Sequence, residues 1–332
     1  MLNSYELLQQ YFGRVSKNSE QIGKVMAGNN KKTEKRNNLT NQINRRQMIG
    51  GIGSLVVAPS LLAANIQNAI INPSNSSIDF SDPIQNAAAY VKLIGTTARG
   101  MLHTYIKGTI YGVTPDEGVK PMIGYATLIK SIWKPWTDNS FFRTLYSSGY
   151  FIDLKTGLPA EEFENPFTGE INRPVKIIGG PFDRVIRPEV RKFNVRNNDI
   201  WINEDVYINV FNKLDPEIWP KASAGKTLNF LYVESYSGQV SDLADPEISS
   251  APMKLISTHN TSWYPFFLMG QRPGGHYWQA IGKKVENLES DVPIELINYI
   301  EKENPGYFES EKPWKKRKDI FQAYKDEREP LT

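Results

Sequence analysis

The segment Ile200–Phe211, "IWINEDVYINVF", alternates with a period of two. Ile200, Ile202, Val206, Ile208 and Val210 share one face, interrupted only by Glu204. Trp201, Asn203, Asp205, Tyr207, Asn209 and Phe211 share the other. Successive strand side chains point to opposite faces, so the pattern predicts a strand with one face on a core and one face wet.

The same reading extends outward to Tyr90–Gly95, Met101–Tyr111, Met122–Trp133, Phe141–Asp153, Ile171–Ile178, Leu228–Tyr236, Lys254–Trp263 and His276–Gly282. These segments are rich in Tyr, Phe, Ile, Val and Thr, and Gly, Pro, Asn and Asp clusters separate them. No βαβ alternation occurs, which argues against a parallel sheet. Asp82-Pro83 predicts a capped short helix through Ala89. "DVPIELINYIEKENPGYF", Asp291–Phe308, reads as a helix with Pro293 early in it and Pro305-Gly306 ending it. Sheets this extensive close or curl to hide their edges. The expected fold is therefore mainly β: an antiparallel closed or strongly curled, barrel-like sheet with a few short helices, among them a C-terminal one.

The 332 residues include 40% hydrophobic and 11% aromatic side chains, enough for a sizeable core. The formal charge of +3 is unevenly placed. Residues 1–65 hold nine Lys/Arg against three acids, a surplus of six, which leaves residues 66–332 at −3. That remainder lacks the concentrated positive charge that phosphate binding requires, so no nucleic-acid partner is expected. The absence of cysteine excludes disulfides, thiolate nucleophiles, Cys-ligated zinc and iron–sulfur clusters.

The basic surplus precedes "NRRQMIGGIGSLVVAPSLLAA", Asn44–Ala64. Its uncharged run, Met48–Ala64, is 17 residues long and is diluted by Gly50, Gly51, Gly53 and Pro59. A membrane-spanning helix needs about 20 strongly apolar residues. Adjacent Arg45 and Arg46 before such a run match a twin-arginine export signal. An uncleaved anchor reaching Ile71 and an internal helix are the competing readings, and Asn65, Gln67 and Asn68 disfavour the anchor. The organisation expected is a polar, basic leader (1–44), a signal segment (45–65), a linker (66–83) and one β-rich domain (84–332). The expected partner is the twin-arginine machinery, the destination the periplasm or another exported location, with no stable membrane insertion after processing.

Several phrases in consistent order resemble one bacterial family, the domain-of-unknown-function family 1838. They are "YIKGTIYGV" (105–113), "SSGYFIDLKTG" (147–157), "ENPFTGE" (164–170), "NKLDPEIWPKASAG" (212–225) and "SWYPFFLMGQRPGG" (262–275). Members of that family often begin with a twin-arginine signal, so the resemblance implies export. It implies no reaction and no catalytic residue. Phe163-Glu164-Asn165-Pro166 stands where the family usually has Trp-x-Asn-Pro, and the three histidines lie outside the resembling phrases.

Each candidate site residue carries two readings. Asn165-Pro166 and Gly169, like Asp153–Gly157, have tight-turn chemistry. The functional alternative brings Asp153, Asn165 and Glu170 to one rim as acid, orienting amide and base. Trp263, Tyr264, Phe266, Phe267 and Met269 form either a core strand entering a Gly/Pro loop or an apolar pocket with Arg272 ready to pair with a ligand carboxylate. Glu204 either reaches water through a β-bulge at Asn203-Glu204 or is desolvated, which would favour its protonated form and make it a proton shuttle. Strand faces bearing Tyr105, Tyr111 and Tyr150 suit a wetted surface or a cavity for an amphipathic ligand. His103, His259 and His276 show no metal-ligand spacing, so neither metal nor cofactor is expected. "KPWKKRK", Lys312–Lys318, reads as a solvated basic face. The sequence thus favours a small, partly apolar molecule bound in an aromatic-lined cavity, with metal-free general acid–base catalysis on the same scaffold as the alternative.

Overall fold

The computed structural model describes residues 78–309 and 319–331. The signal segment with Arg45 and Arg46, most of the linker, and the Lys312–Lys318 run lie outside the described residues.

The fold is an open antiparallel sheet curled into a half-barrel. Its strands are β1 (Gly100–Thr114), β2 (Gly118–Pro135), β3 (Phe141–Ile152), β6 (Ile177–Ile186), β7 (Asn194–Arg196), β8 (Asp199–Phe211), β9 (Thr227–Gln239), β10 (Lys254–Thr261) and β11 (Gly275–Val285). They lie in the order β6-β3-β2-β1-β11-β10-β9-β8-β7. A separate small hairpin joins β4 (Phe163–Glu164) to β5 (Ile171–Asn172). The strand expected over Ile171–Ile178 is therefore two elements. Arg173-Pro174 separates them, and Pro174 has no N–H to give a ladder.

A second correction concerns Tyr90–Gly95. Helix α1 (Pro83–Ile94) begins where Asp82 accepts from the Ile84 N–H, then continues through this segment to Gly95. Ala87, Tyr90, Val91 and Ile94 are all buried, a stripe at three- and four-residue spacing that suits a helix lying on the sheet. The shorter helices are α2 (Val240–Ala244), α3 (Leu288–Asp291), α4 (Ile294–Glu303) and α5 (Ile320–Glu327). Among the described residues no helix is long and apolar enough to cross a membrane.

Two apolar layers flank the sheet. On the inner face, α1, the loop carrying Trp263, Phe266 and Phe267, and Phe321 and Tyr324 of α5 join one large core. On the outer face, Leu296 and Ile300 of α4 and Tyr307 cover Ala126, Leu128, Tyr146 and Tyr150. Glycines let the sheet bend. A Cβ on Gly108 would lie 2.2 Å from the Gln279 carbonyl oxygen, and one on Gly149 would lie 2.1 Å from that of Ala126.

Polar contacts tie the curl. Arg184, on edge strand β6, reaches Glu204 on β8 at 3.4 Å. The Tyr90 hydroxyl of α1 donates to the same carboxylate at 2.5 Å. The far end of α1 is held by Lys284, whose ammonium donates to the carbonyls of Lys92, Gly95 and Ala251 and to Ser250 Oγ.

Candidate functional site

Strand register sets the inner face in rows. Glu204 on β8 faces Glu234 on β9, followed by Ser257 on β10, Ala280 on β11 and Gly108 on β1. The adjoining row runs Val206, Tyr232, His259, Trp278 and Ile110. The first row falls from two carboxylates to small residues, while the second raises aromatic side chains beside it. We call this strip of the inner face the trough; Ser257 and Ala280 at its floor are buried.

Its polar centre is built from alternating positions. "LYVESY" on β9 sends Tyr232, Glu234 and Tyr236 inward, and "STH" on β10 sends Ser257 and His259 inward. His259 Nε2 lies 3.0 Å from Ser257 Oγ and 3.8 Å from Glu234 Oε1. The Tyr236 hydroxyl donates to the other Glu234 oxygen. The side chains of His259 and Glu234 keep 26% and 30% of their accessibility, so solvent reaches the pair.

Electrostatics favour a charged Glu234. Burial pushes its carboxyl up, but His259, Tyr236 and Arg143 outweigh burial and hold it below its ordinary value. Burial pushes the Tyr232 phenol up to about 12 and keeps it protonated. Tyr236 and Tyr264 are raised well above the usual phenol range, again chiefly by burial. His276, fully enclosed under the aromatic loop, is pushed down to about 3.

Two glutamates directly opposite on one face repel each other. The structure answers with Arg184 and Tyr90 on Glu204, and with His259, Tyr236 and the field of Arg143 on Glu234. Arg143 and Arg184 are themselves register partners on β3 and β6. The buried Nε of Arg143 has no hydrogen-bond partner.

The residues singled out in the sequence are dispersed. Glu204 is the one catalytic candidate in the trough. Its strand carries no bulge, since β8 and β9 pair without a shift from Asp199 to Phe211. Asp153 caps an exposed turn, accepting from the N–H groups of Lys155 and Thr156. Glu170 is exposed and pairs with Lys221 at 3.4 Å. Tyr105, Tyr111 and Tyr150 all point to the outer face. Tyr111 stacks on Tyr277 at 4.9 Å, Tyr150 meets Tyr299 edge-on at 5.3 Å, and Tyr105 packs on the outer apolar layer.

Asn165 is buried and structural in its contacts. Its Nδ2 donates to the Phe267 carbonyl at 2.7 Å, and its Oδ1 accepts from the Phe167 N–H. Trp263 is buried, with Nε1 donating to the Arg272 carbonyl. The Arg272 guanidinium pairs with Asp116 and Glu117, not with a vacant rim. Of the residues that do converge, Tyr232, Glu234 and Ser257 carry no site signal in the sequence, and His259 enters the sequence reading only as a metal ligand. Their alternation was readable, but their mutual placement comes from register alone. Among the described residues no three His, Asp or Glu side chains stand together as a metal cradle.

A family model described as "Protein of unknown function (DUF1838)" matches residues 101–324, which spans β1 through α5 and includes the whole trough. No curated protein matches the chain.

Proposed function

The chain belongs to the DUF1838 family, and on that premise we propose that it is an exported protein that binds a small, partly apolar molecule in the inner trough. One observation carries the binding reading. Partly buried Tyr232, Glu234, His259 and Trp278 stand beside a floor of Gly108 and the buried Ser257 and Ala280. A core face serving stability alone would carry apolar side chains in place of two facing carboxylates, a serine hydroxyl and a partly exposed imidazole. Aromatic walls with a few convergent polar groups suit a ligand with a ring or short apolar body and a polar oxygen.

Protein purified from its own cells and sprayed under native conditions should carry a small-molecule mass. Ser257→Phe, which fills the floor, should abolish it. An adduct that persists in Ser257→Phe places the ligand elsewhere, and a bare wild-type mass in every preparation ends the reading.

The export half rests on Arg45-Arg46 and the 17-residue uncharged run behind them. The machinery engaged is the twin-arginine translocase, and the cleaved chain has no further membrane insertion. Arg45→Lys with Arg46→Lys should trap the full-length chain in the cytoplasm. Wild-type chain recovered there intact would refute the export reading.

A further inference from the structure

We infer that the trough is a proton-transfer site, in which His259 is the base and the substrate is a partly apolar molecule with an acidic C–H next to a carbonyl. The inference rests on the binding reading above and adds chemistry to it. Three placements carry it. His259 is the one histidine of the three with substantial access: His103 and His276 are 8% and 1% exposed, whereas its side chain keeps 26%. Its Nε2 is committed to Ser257 and to the negative Glu234, while its Nδ1 has no hydrogen-bond partner among the described residues. A proton on Nε2 leaves the lone pair on Nδ1, and the nearby carboxylate stabilises the imidazolium that forms when Nδ1 takes a second one.

The third placement is the donor. The Tyr232 ring stands edge-on to His259 with centroids 4.4 Å apart. Burial keeps its phenol protonated, so its proton is available to an oxygen in the trough. A base and a protonated phenol side by side are what enolisation requires. The C–H bond breaks and its proton moves to His259 Nδ1. The electron pair shifts into the carbonyl, and Tyr232 donates to the oxyanion. The imidazolium then returns the proton to the same carbon or to a conjugated one, giving an isomer without any oxidant or reductant. Glu234 is a positioning residue that acts through His259. Ser257 fixes the ring.

The probe is nitrobenzisoxazole, an apolar heteroaromatic whose C–H proton is removed by a base as its N–O bond opens to a nitrile and a coloured phenolate. Wild-type protein should open it with saturation, and quenching of tryptophan emission reports its binding separately. His259→Gln should lose at least about tenfold in rate, since a positioned base contributes on the order of 10²–10⁴, with probe affinity within about twofold. Glu234→Gln should lower kcat and leave KM nearly unchanged, and Glu234→Asp should recover part of the loss. If His259→Gln does not fold, diethyl pyrocarbonate applied to wild type should modify His259 selectively by mass and remove the rate. Bound probe with equal rates in wild type and His259→Gln, or modified His259 with undiminished rate, overturns this inference alone. Failure of the probe to bind overturns the binding reading and this inference with it.

Discussion

Gly108→Ala tests whether close strand approach shapes the trough. An alanine Cβ there would sit 2.2 Å from the Gln279 carbonyl oxygen, 2.7 Å from Ala280 Cβ and 2.8 Å from Ala280 Cα. Carbon–oxygen contacts across a sheet ordinarily lie at about 3.3–3.6 Å, so β1 and β11 must separate by roughly 1 Å. Two of the obstructing atoms are backbone, and the third is a methyl with no rotamer to change. Overpacking of this kind costs about 1–3 kcal/mol, and loosening one ladder hydrogen bond adds about 1 kcal/mol. For a domain of this size each kcal/mol is worth about 2–4 °C, so the melting temperature should fall by roughly 4–16 °C. Thermal unfolding followed by far-ultraviolet circular dichroism reads the change. Gly100→Ala is the matched control, because nothing lies within 4 Å of its added Cβ. That control should change stability by no more than about 0.5 kcal/mol. Two variants melting together at the wild-type temperature would refute the argument that Gly108 is set by sheet approach.

Three further outcomes are expected. Tyr90→Phe removes the 2.5 Å donor to Glu204 from a fully buried ring and should cost about 1.5–3 kcal/mol in urea unfolding; an unchanged midpoint would show that this link does not hold α1 to the sheet. Burial draws Lys284 down from 10.5 to about 7, so between those values the unfolded chain binds more protons there and stability rises with pH. Lys284→Met should lower stability throughout and flatten that rise in urea midpoints from neutral to alkaline pH; parallel curves for the two proteins would reject the assignment. Burial pushes His103 down to about 4 and His276 to about 3, so each stabilises the fold above the ordinary histidine value of 6.5 and loses that contribution as pH falls toward its folded value. His276→Gln should therefore be less acid-sensitive than wild type between those limits, and an identical acid slope would count against a neutral, enclosed His276.

The strands were legible because alternation is a local property. "IWINEDVYINVF" alternates as its two faces do, and unbroken pairing with β9 removes the bulge that would have turned Glu204 to water. The Tyr90–Ile94 segment was not, because a short apolar run satisfies both periods, and only the stripe made with Ala87 favours a helix. The dispersal of the candidate site residues has a different reason. Tyr105 and Tyr111 do share a face, as alternation requires, but the sense of the curl turns the opposite one inward, the face of Ile106, Gly108 and Ile110. Nothing local to β1 encodes that choice. It follows from which face can tolerate close approach, and the glycine at 108 marks it. Glu204, Glu234 and Ser257 lie 30 and 23 residues apart in sequence, and become one row only through two pairing registers.

That row is costly as architecture. Replacing a buried ion pair by apolar side chains of similar volume is often neutral or stabilising by about 1–4 kcal/mol. By that rule a half-barrel selected only to fold would be about as stable with apolar residues at 143, 184, 204 and 234 and phenylalanine at 90 and 236, replaced together. Instead the sequence sets two like charges face to face and adds Arg184, Tyr90, His259 and Tyr236 to restrain them. It also keeps a buried guanidinium nitrogen on Arg143 without a partner. On the outer layer, Lys130 meets a carbonyl at 2.8 Å and two aromatic rings, and its register partner His103 has a buried Nε2 without a hydrogen-bond partner. The inner face gathers two facing carboxylates, two guanidinium groups and a solvent-reachable imidazole, which is why the function is sought in the trough and not among the outward tyrosines.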